Sequence, residues 1–122
     1  MQTPNKHTAG MLGQQAAEDY LVKKNYRILQ RNYRVKSGEI DLIAQDGAYL
    51  VFVEVKSRSG LGYGHPREAV NAAKQARILR TAQHYIIRYR LAERDLRFDV
   101  IEVLNTRGEV QIEHIENAFW TG

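Results

Sequence analysis

Four residues in the first half of the chain have the types and spacing to do hydrolytic chemistry: Glu39, Asp41, Glu54 and Lys56. They fall in two β-type runs, Glu39-Ile40-Asp41-Leu42-Ile43-Ala44 and Tyr49-Leu50-Val51-Phe52-Val53-Glu54-Val55-Lys56, joined through Gln45-Asp46-Gly47-Ala48. Asp-Gly between such runs is a strong hairpin signal. With Asp46 and Gly47 at the centre of a two-residue turn, Asp41 is expected opposite Phe52 and Glu39 opposite Glu54. Side chains alternate along a strand, so Glu39, Asp41, Phe52, Glu54 and Lys56 share one face, for chemistry. Ile40, Leu42, Val51, Val53 and Val55 take the other, for the core.

Directly opposed Cβ atoms lie roughly 5 Å apart and diagonal ones roughly 7 Å apart, so Glu39, Asp41 and Glu54 are expected to converge within reach of one divalent ion. At about 6 Å and an effective dielectric near 20, each like-charge pair costs on the order of 3 kcal/mol. A marginally stable domain needs that repulsion neutralised. Lys56 offsets part of it. Mg²⁺ or Mn²⁺ suits the hard oxygen donors of Asp41 and Glu54 and leaves positions for water and a phosphate oxygen. Lys56, next on the same strand face after Glu54, is then placed to orient or help deprotonate an attacking water and to offset charge growing on a phosphate. The plain alternative is a solvent-facing hairpin with ordinary polar alternation and a Glu54/Lys56 surface pair.

The elements that must carry these residues can be read outward from the hairpin. Ala16, Ala17, Tyr20 and Leu21 place an apolar stripe on a short helix over Gly13–Lys24, and Tyr26–Val35 has strand character up to a break at Ser37-Gly38. After Gly60, Gly62, Gly64 and Pro66, a long helix is expected over Arg67–Tyr89, with Ala69, Ala72, Ala73, Ala76, Leu79, Ala82 and Ile86 on its apolar face. Leu96–Val103 and Val110–Ile115 alternate as strands about a Thr106-Arg107-Gly108 turn. Residues 1–10 are polar and aperiodic and are expected to form a flexible tail, leaving 11–122 as one α/β domain.

A chain of 122 residues, 43% apolar and 26% charged, has the composition of one folded globular domain. It has no cysteine, which excludes disulfide frameworks, thiolate metal sites and a cysteine nucleophile. Leu50–Val53 is too short for a membrane span and the N-terminus lacks a signal-peptide core, so a cytoplasmic location away from membranes is expected. No phosphate-binding loop, nucleophile elbow or dinucleotide fingerprint is present, which argues against a small-molecule cofactor. The net charge of +4 is unevenly spread. Lys23, Lys24, Arg27, Arg31, Arg34 and Lys36 form a run without an acid, and Lys74, Arg77, Thr81, His84 and Arg88 recur along the long helix opposite its alanines. With Arg58 these cations make a candidate nucleic-acid face, since neutralised phosphates release counterions. A solvated basic surface is the ordinary counterpart of that reading.

The segments Gly38-Glu39-Ile40-Asp41-Leu42-Ile43-Ala44, Val51-Phe52-Val53-Glu54-Val55-Lys56-Ser57-Arg58, Lys74-Gln75-Ala76-Arg77, Arg97-Phe98-Asp99-Val100 and Asn117-Ala118-Phe119 together resemble the YraN-type family of predicted endonucleases. The resemblance implies a restriction-endonuclease-like mixed β-sheet flanked by helices, of the PD-(D/E)XK superfamily and related to archaeal Holliday-junction resolvases. It implies Mg²⁺ at Asp41 and Glu54 and a water-assisting role for Lys56. It also implies an acid directly after the first-helix glycine, where this chain carries Gln14 after Gly13. Glu39, Gln14 and Glu18, the last one helical turn on, are the expected supporting residues. The implied activity is metal-dependent phosphodiester hydrolysis on DNA, branched or damaged, in repair or recombination, with a homodimer if two junction strands are cut. The rival readings are a noncatalytic nucleic-acid-binding module on the same fold and an adaptor whose basic face meets an acidic protein.

Overall fold

The computed structural model describes residues 6–59, 71–106 and 108–118. Their order is α1 (Lys6–Lys23), β1 (Arg27–Val35), β2 (Gly38–Asp46), β3 (Tyr49–Ser59), α2 (Ala72–Arg88), β4 (Asp95–Thr106) and β5 (Glu109–Ile115). The strands make one mixed sheet in the order β1-β2-β3-β4-β5. All neighbours are antiparallel except β3 and β4, which run parallel along eleven paired positions from Tyr49↔Asp95 to Ser59↔Asn105. A parallel pair needs a crossover, and α2 lies within this one.

Both faces of the sheet are core, which corrects the expectation of one apolar and one chemical face. Ala17 and Leu21 of α1 pack on Leu42, Ala44, Val51, Val53, Ile101 and Val103. Ile78, Ala82 and Tyr85 of α2 pack on Tyr33, Ile40, Ile43, Leu50, Phe52, Phe98 and Val100. Ile40 and Leu42 therefore serve opposite layers, although strict alternation would put them together. The irregularity falls at Asp41, next to the strand position where Asn32 takes left-handed backbone at φ 50°.

The hairpin register also differs from the expected one. Asp46 pairs with Tyr49 and Ile43 with Phe52, so Gly47 and Ala48 form the turn, Gly47 supplying its positive φ of 57°. The register moves by two positions, an even step that by itself leaves side chains on their expected sides; Ile40 changes layer through the break in alternation at Asp41 instead. The ladder ends at Leu42↔Val53, so the expected pairing of Glu39 with Glu54 is not among its pairs.

Helix α1 starts at Lys6, inside the stretch read as a tail; residues 1–5 lie outside the described chain. Helix α2 starts at Ala72, capped by Asn71, whose side chain accepts from the Lys74 amide at 2.9 Å. Residues 60–70, which include the glycine-rich connection and the expected beginning of the long helix, lie outside the described residues. The buried stripe of α2 is Ile78, Thr81, Ala82 and Tyr85, whereas Ala72 and Ala73 are exposed. Thr81, assigned to the polar face from spacing, is fully buried because its hydroxyl is satisfied by Arg77 O at 2.8 Å and Ser37 Oγ at 3.2 Å. Among the described residues no helix is long and apolar enough to cross a membrane.

Gly13 sets how closely α1 sits on β3. A Cβ there would lie 2.8 Å from Ser57 Cβ and closer still to its hydroxyl. Alanine is the better helix former by about 1 kcal/mol, but overpacking costs about 1–3 kcal/mol. Gly13→Ala is therefore expected to lower stability by about 1 kcal/mol in urea titration, and Ser57→Gly in the same chain to reverse the loss.

Candidate active site

The start of β2, the middle of β3 and the first turns of α2 enclose a cleft of about 200 Å³ lined by Gly38, Glu39, Asp41, Glu54, Lys74, Arg77 and Ile78. Asp41 and Glu54 lie at its floor. Glu54 is 7% exposed, with its Oε1 paired to Lys74 Nζ and 3.7 Å from Lys56 Nζ. Asp41 Oδ2 accepts from the Val55 amide at 2.8 Å, a contact made where the β2–β3 ladder ends. The structure thus gathers Asp41, Glu54 and Lys56 as expected and adds Lys74, which spacing alone had placed on a phosphate-tracking helix face.

Burial first, then repulsion from Glu54, raises the Asp41 pKa to about 7, against the Val55 hydrogen bond that lowers it; Glu39 adds to the rise and Lys74 opposes it. Burial first, then the ammonium of Lys74, lowers the Lys56 pKa, with Glu54 and Asp41 opposing. For Asp41 the folded value exceeds the unfolded one, so the folded chain holds the extra proton between about pH 4 and pH 7. This group's contribution to stability is expected to be greatest near pH 4, to fall as pH rises through 7, and to stay flat above. Urea titrations at intervals across that window, on wild type and Asp41→Asn, would read it as a slope the variant lacks.

Glu39 lines the cleft but is engaged elsewhere, accepting from Asn32 Nδ2 at 3.0 Å and Arg34 at 3.2 Å. Gln14 exchanges reciprocal amide hydrogen bonds with Asn32, at 2.9 and 3.2 Å, and so reaches Glu39 only through that side chain. Glu18 pairs with Arg31 and does not line the cleft. The expected three-carboxylate convergence is accordingly reduced to two: among the described residues no group of three acidic or histidine side chains is placed to hold a metal. As a donor set Asp41 and Glu54 still fit a hard divalent ion, supplying one buried and one half-buried carboxylate and a cleft with room for water ligands. They would be the residues to hold it.

The basic run divides along β1. Arg34 pairs with Glu39 at the cleft end, and Lys36 follows β1 at that end, whereas Arg27 pairs with Gln45, roughly 20 Å along the strand. Lys23 ends α1 and Lys24 follows it, contacting the Tyr20 hydroxyl at 3.2 Å. Arg58 lies 3.7 Å from the buried Glu102. His84 is bonded to Tyr33 and not free to track a strand. Arg77 is an exposed cation that lines the cleft, and Arg34, also exposed, reaches its edge through Glu39.

On the opposite face lies a second polar cluster that local spacing does not reveal. Arg97 donates to Asp99, to Asp46 at 2.9 Å and to the Tyr26 hydroxyl at 2.6 Å. Asp99 also accepts from His114 Nε2 at 2.7 Å and the Asn117 amide at 2.9 Å, while the Tyr20 hydroxyl meets His114 Nδ1 at 3.2 Å. Burial raises the Asp99 pKa, but the hydrogen bonds from His114, Arg97 and Asn117 outweigh it and hold the carboxyl below the usual range. The arrangement is closed, each group answered by another, and gives Asp99 a structural role.

The fold and the cleft define a small α/β domain, a five-stranded mixed sheet with a helix on each face, consistent with a restriction-endonuclease-like architecture and carrying paired carboxylates with paired lysines. The model of the uncharacterised protein family UPF0102 matches residues 13–103, and the chain belongs to that family. It is 47% identical over 121 residues to a UPF0102 protein of Acetivibrio thermocellus, covering 94% of this chain and 93% of the relative. A UPF0102 protein of Symbiobacterium thermophilum is 52% identical over 111 residues, covering 90% of this chain and 94% of the relative. One from Alkaliphilus metalliredigens is 51% identical over 110 residues, covering 90% and 96%. The YraN-type resemblance is thereby borne out at the level of family.

Proposed function

We propose that the chain is a Mg²⁺- or Mn²⁺-dependent phosphodiesterase acting on DNA, an endonuclease of branched or damaged substrates. The observation that carries this reading is the pairing of Asp41 and Glu54 in one cleft, the latter buried, with Lys56 Nζ 3.7 Å from Glu54 and its pKa lowered. Asp41 and Glu54 would hold the ion, which supplies Lewis-acid polarisation of a phosphate oxygen when bound. Lys56 orients the attacking water and, with its lowered pKa, exchanges a proton with it more readily than an ordinary lysine. Glu39, held by Asn32 and Arg34, keeps a negative edge on the cleft, and Arg77, which lines it, offers charge to the flanking phosphates. Such contacts position a strand without reading its sequence.

One observation favours a second reading, a nucleic-acid-binding module without chemistry: the position where the resemblance implies an acid holds Gln14, whose amide is occupied by Asn32. Incubation of labelled branched, single-stranded and duplex DNA with Mg²⁺, Mn²⁺ or EDTA separates the two. Metal-dependent cutting abolished by Glu54→Gln supports the enzyme. Salt-sensitive binding without cutting by the folded chain supports the module.

A further inference from the structure

We propose that Lys74 is the resident counter-ion of the metal-free cleft, holding the cation position at Glu54 and yielding it when a divalent ion binds. This rests on the metal-site reading above and adds a device to it. Formal charge makes the case. Asp41 and Glu54 against Lys56 and Lys74 sum to zero, so the metal-free cleft is balanced without any ion. A divalent ion added to that set would leave two surplus positive charges in a half-buried cleft. Departure of one ammonium brings this to one, which a phosphate can neutralise.

Lys74 is the group able to leave. Lys56 rises from the middle of β3, with its backbone paired to Glu102 of β4. Lys74 stands in the first turn of α2, a turn that carries no acid. A cation there faces the positive end of the helix dipole, so the helix itself does not favour it. What holds its side chain is Glu54 Oε1, the same oxygen that Lys56 approaches to 3.7 Å. Two ammonium groups converging on one carboxylate oxygen repel each other, and an ion that takes that oxygen must displace the ammonium in direct contact with it, which is Lys74 and not Lys56. The Asn71 cap engages the backbone amide of Lys74, not its ammonium, so α2 keeps its start when the side chain swings out.

The test is calorimetric titration of Mg²⁺ and Mn²⁺ into wild type, Lys74→Met, Arg77→Gln and Glu54→Gln near pH 8, without DNA. Lys74→Met is expected to bind each ion about tenfold more tightly, the scale of one charge-assisted hydrogen bond no longer in competition. Arg77→Gln, which removes a cleft cation not paired to Glu54, is expected to shift affinity by about twofold at most, and Glu54→Gln to lose binding. Should Lys74→Met fail to fold, Lys74→Gln serves the same comparison. In wild type, the side-chain nitrogen resonance of Lys74 should move from a paired to a solvent-averaged position as metal is added. Equal affinities for wild type and Lys74→Met would overturn the inference and leave the metal site standing. Absence of binding in every variant would overturn both.

Discussion

Arg97→Met is expected to destabilise the fold by about 3–5 kcal/mol, the range for removing one partner of a buried ion pair. Methionine matches the aliphatic volume but leaves three groups short of a donor: Asp99, Asp46 and the Tyr26 hydroxyl. Asp99 is 1% exposed and retains only His114 and the Asn117 amide. Asp46 sits at the end of β2 and Tyr26 just before β1, so the loss also loosens both ends of the α1 layer. Urea denaturation followed by circular dichroism reads the change directly. Arg97→Met paired with Asp99→Leu should recover part of it, because the fully buried carboxylate is then removed together with its partner. A loss below about 1 kcal/mol would mean that water reaches Asp99.

Lys56→Met is expected to lower metal-dependent cleavage by about 10²–10⁴-fold, the contribution of a positioned acid–base group. The carboxylates remain, and removing a neighbouring cation does not weaken their hold on a metal, so ion binding by calorimetry should persist. That combination, retained binding with lost turnover, distinguishes a residue acting on water from one that merely keeps the cleft folded. Lys56→Arg should not restore the rate: guanidinium stays protonated under all working conditions and cannot exchange a proton with water. If Lys56→Met cuts as well as wild type, the assignment of Lys56 fails.

Much of the site is legible in the sequence because its central residues lie on adjoining strands. Asp41, Glu54 and Lys56 need only strand alternation and a hairpin to meet, and an error of two register positions leaves their faces unchanged. Lys74 is not legible in the same way. Its partner is twenty residues upstream, and which side of α2 meets the sheet depends on Ile78 and Tyr85 packing against Phe52. The alanine stripe pointed to a different face, since alanine tolerates water and says little about burial. Thr81 misled for the converse reason, a polar side chain buried by a bond to its own helix. The Arg97, Asp99 and His114 cluster joins β4, β5, the segment before β1 and the end of β2, contacts that only tertiary assembly creates. The two-sided core was hidden because the strands were read as half-buried, whereas a sheet containing a parallel crossover is covered on both faces.

The bond from the Val55 amide to Asp41 gives the cleft its own indicator. That proton feels the carboxylate's charge directly, so its resonance should move upfield as Asp41 takes up a proton. One backbone signal then records the ionisation of a side chain at the floor of the cleft, in the unlabelled wild-type sequence and without a substrate.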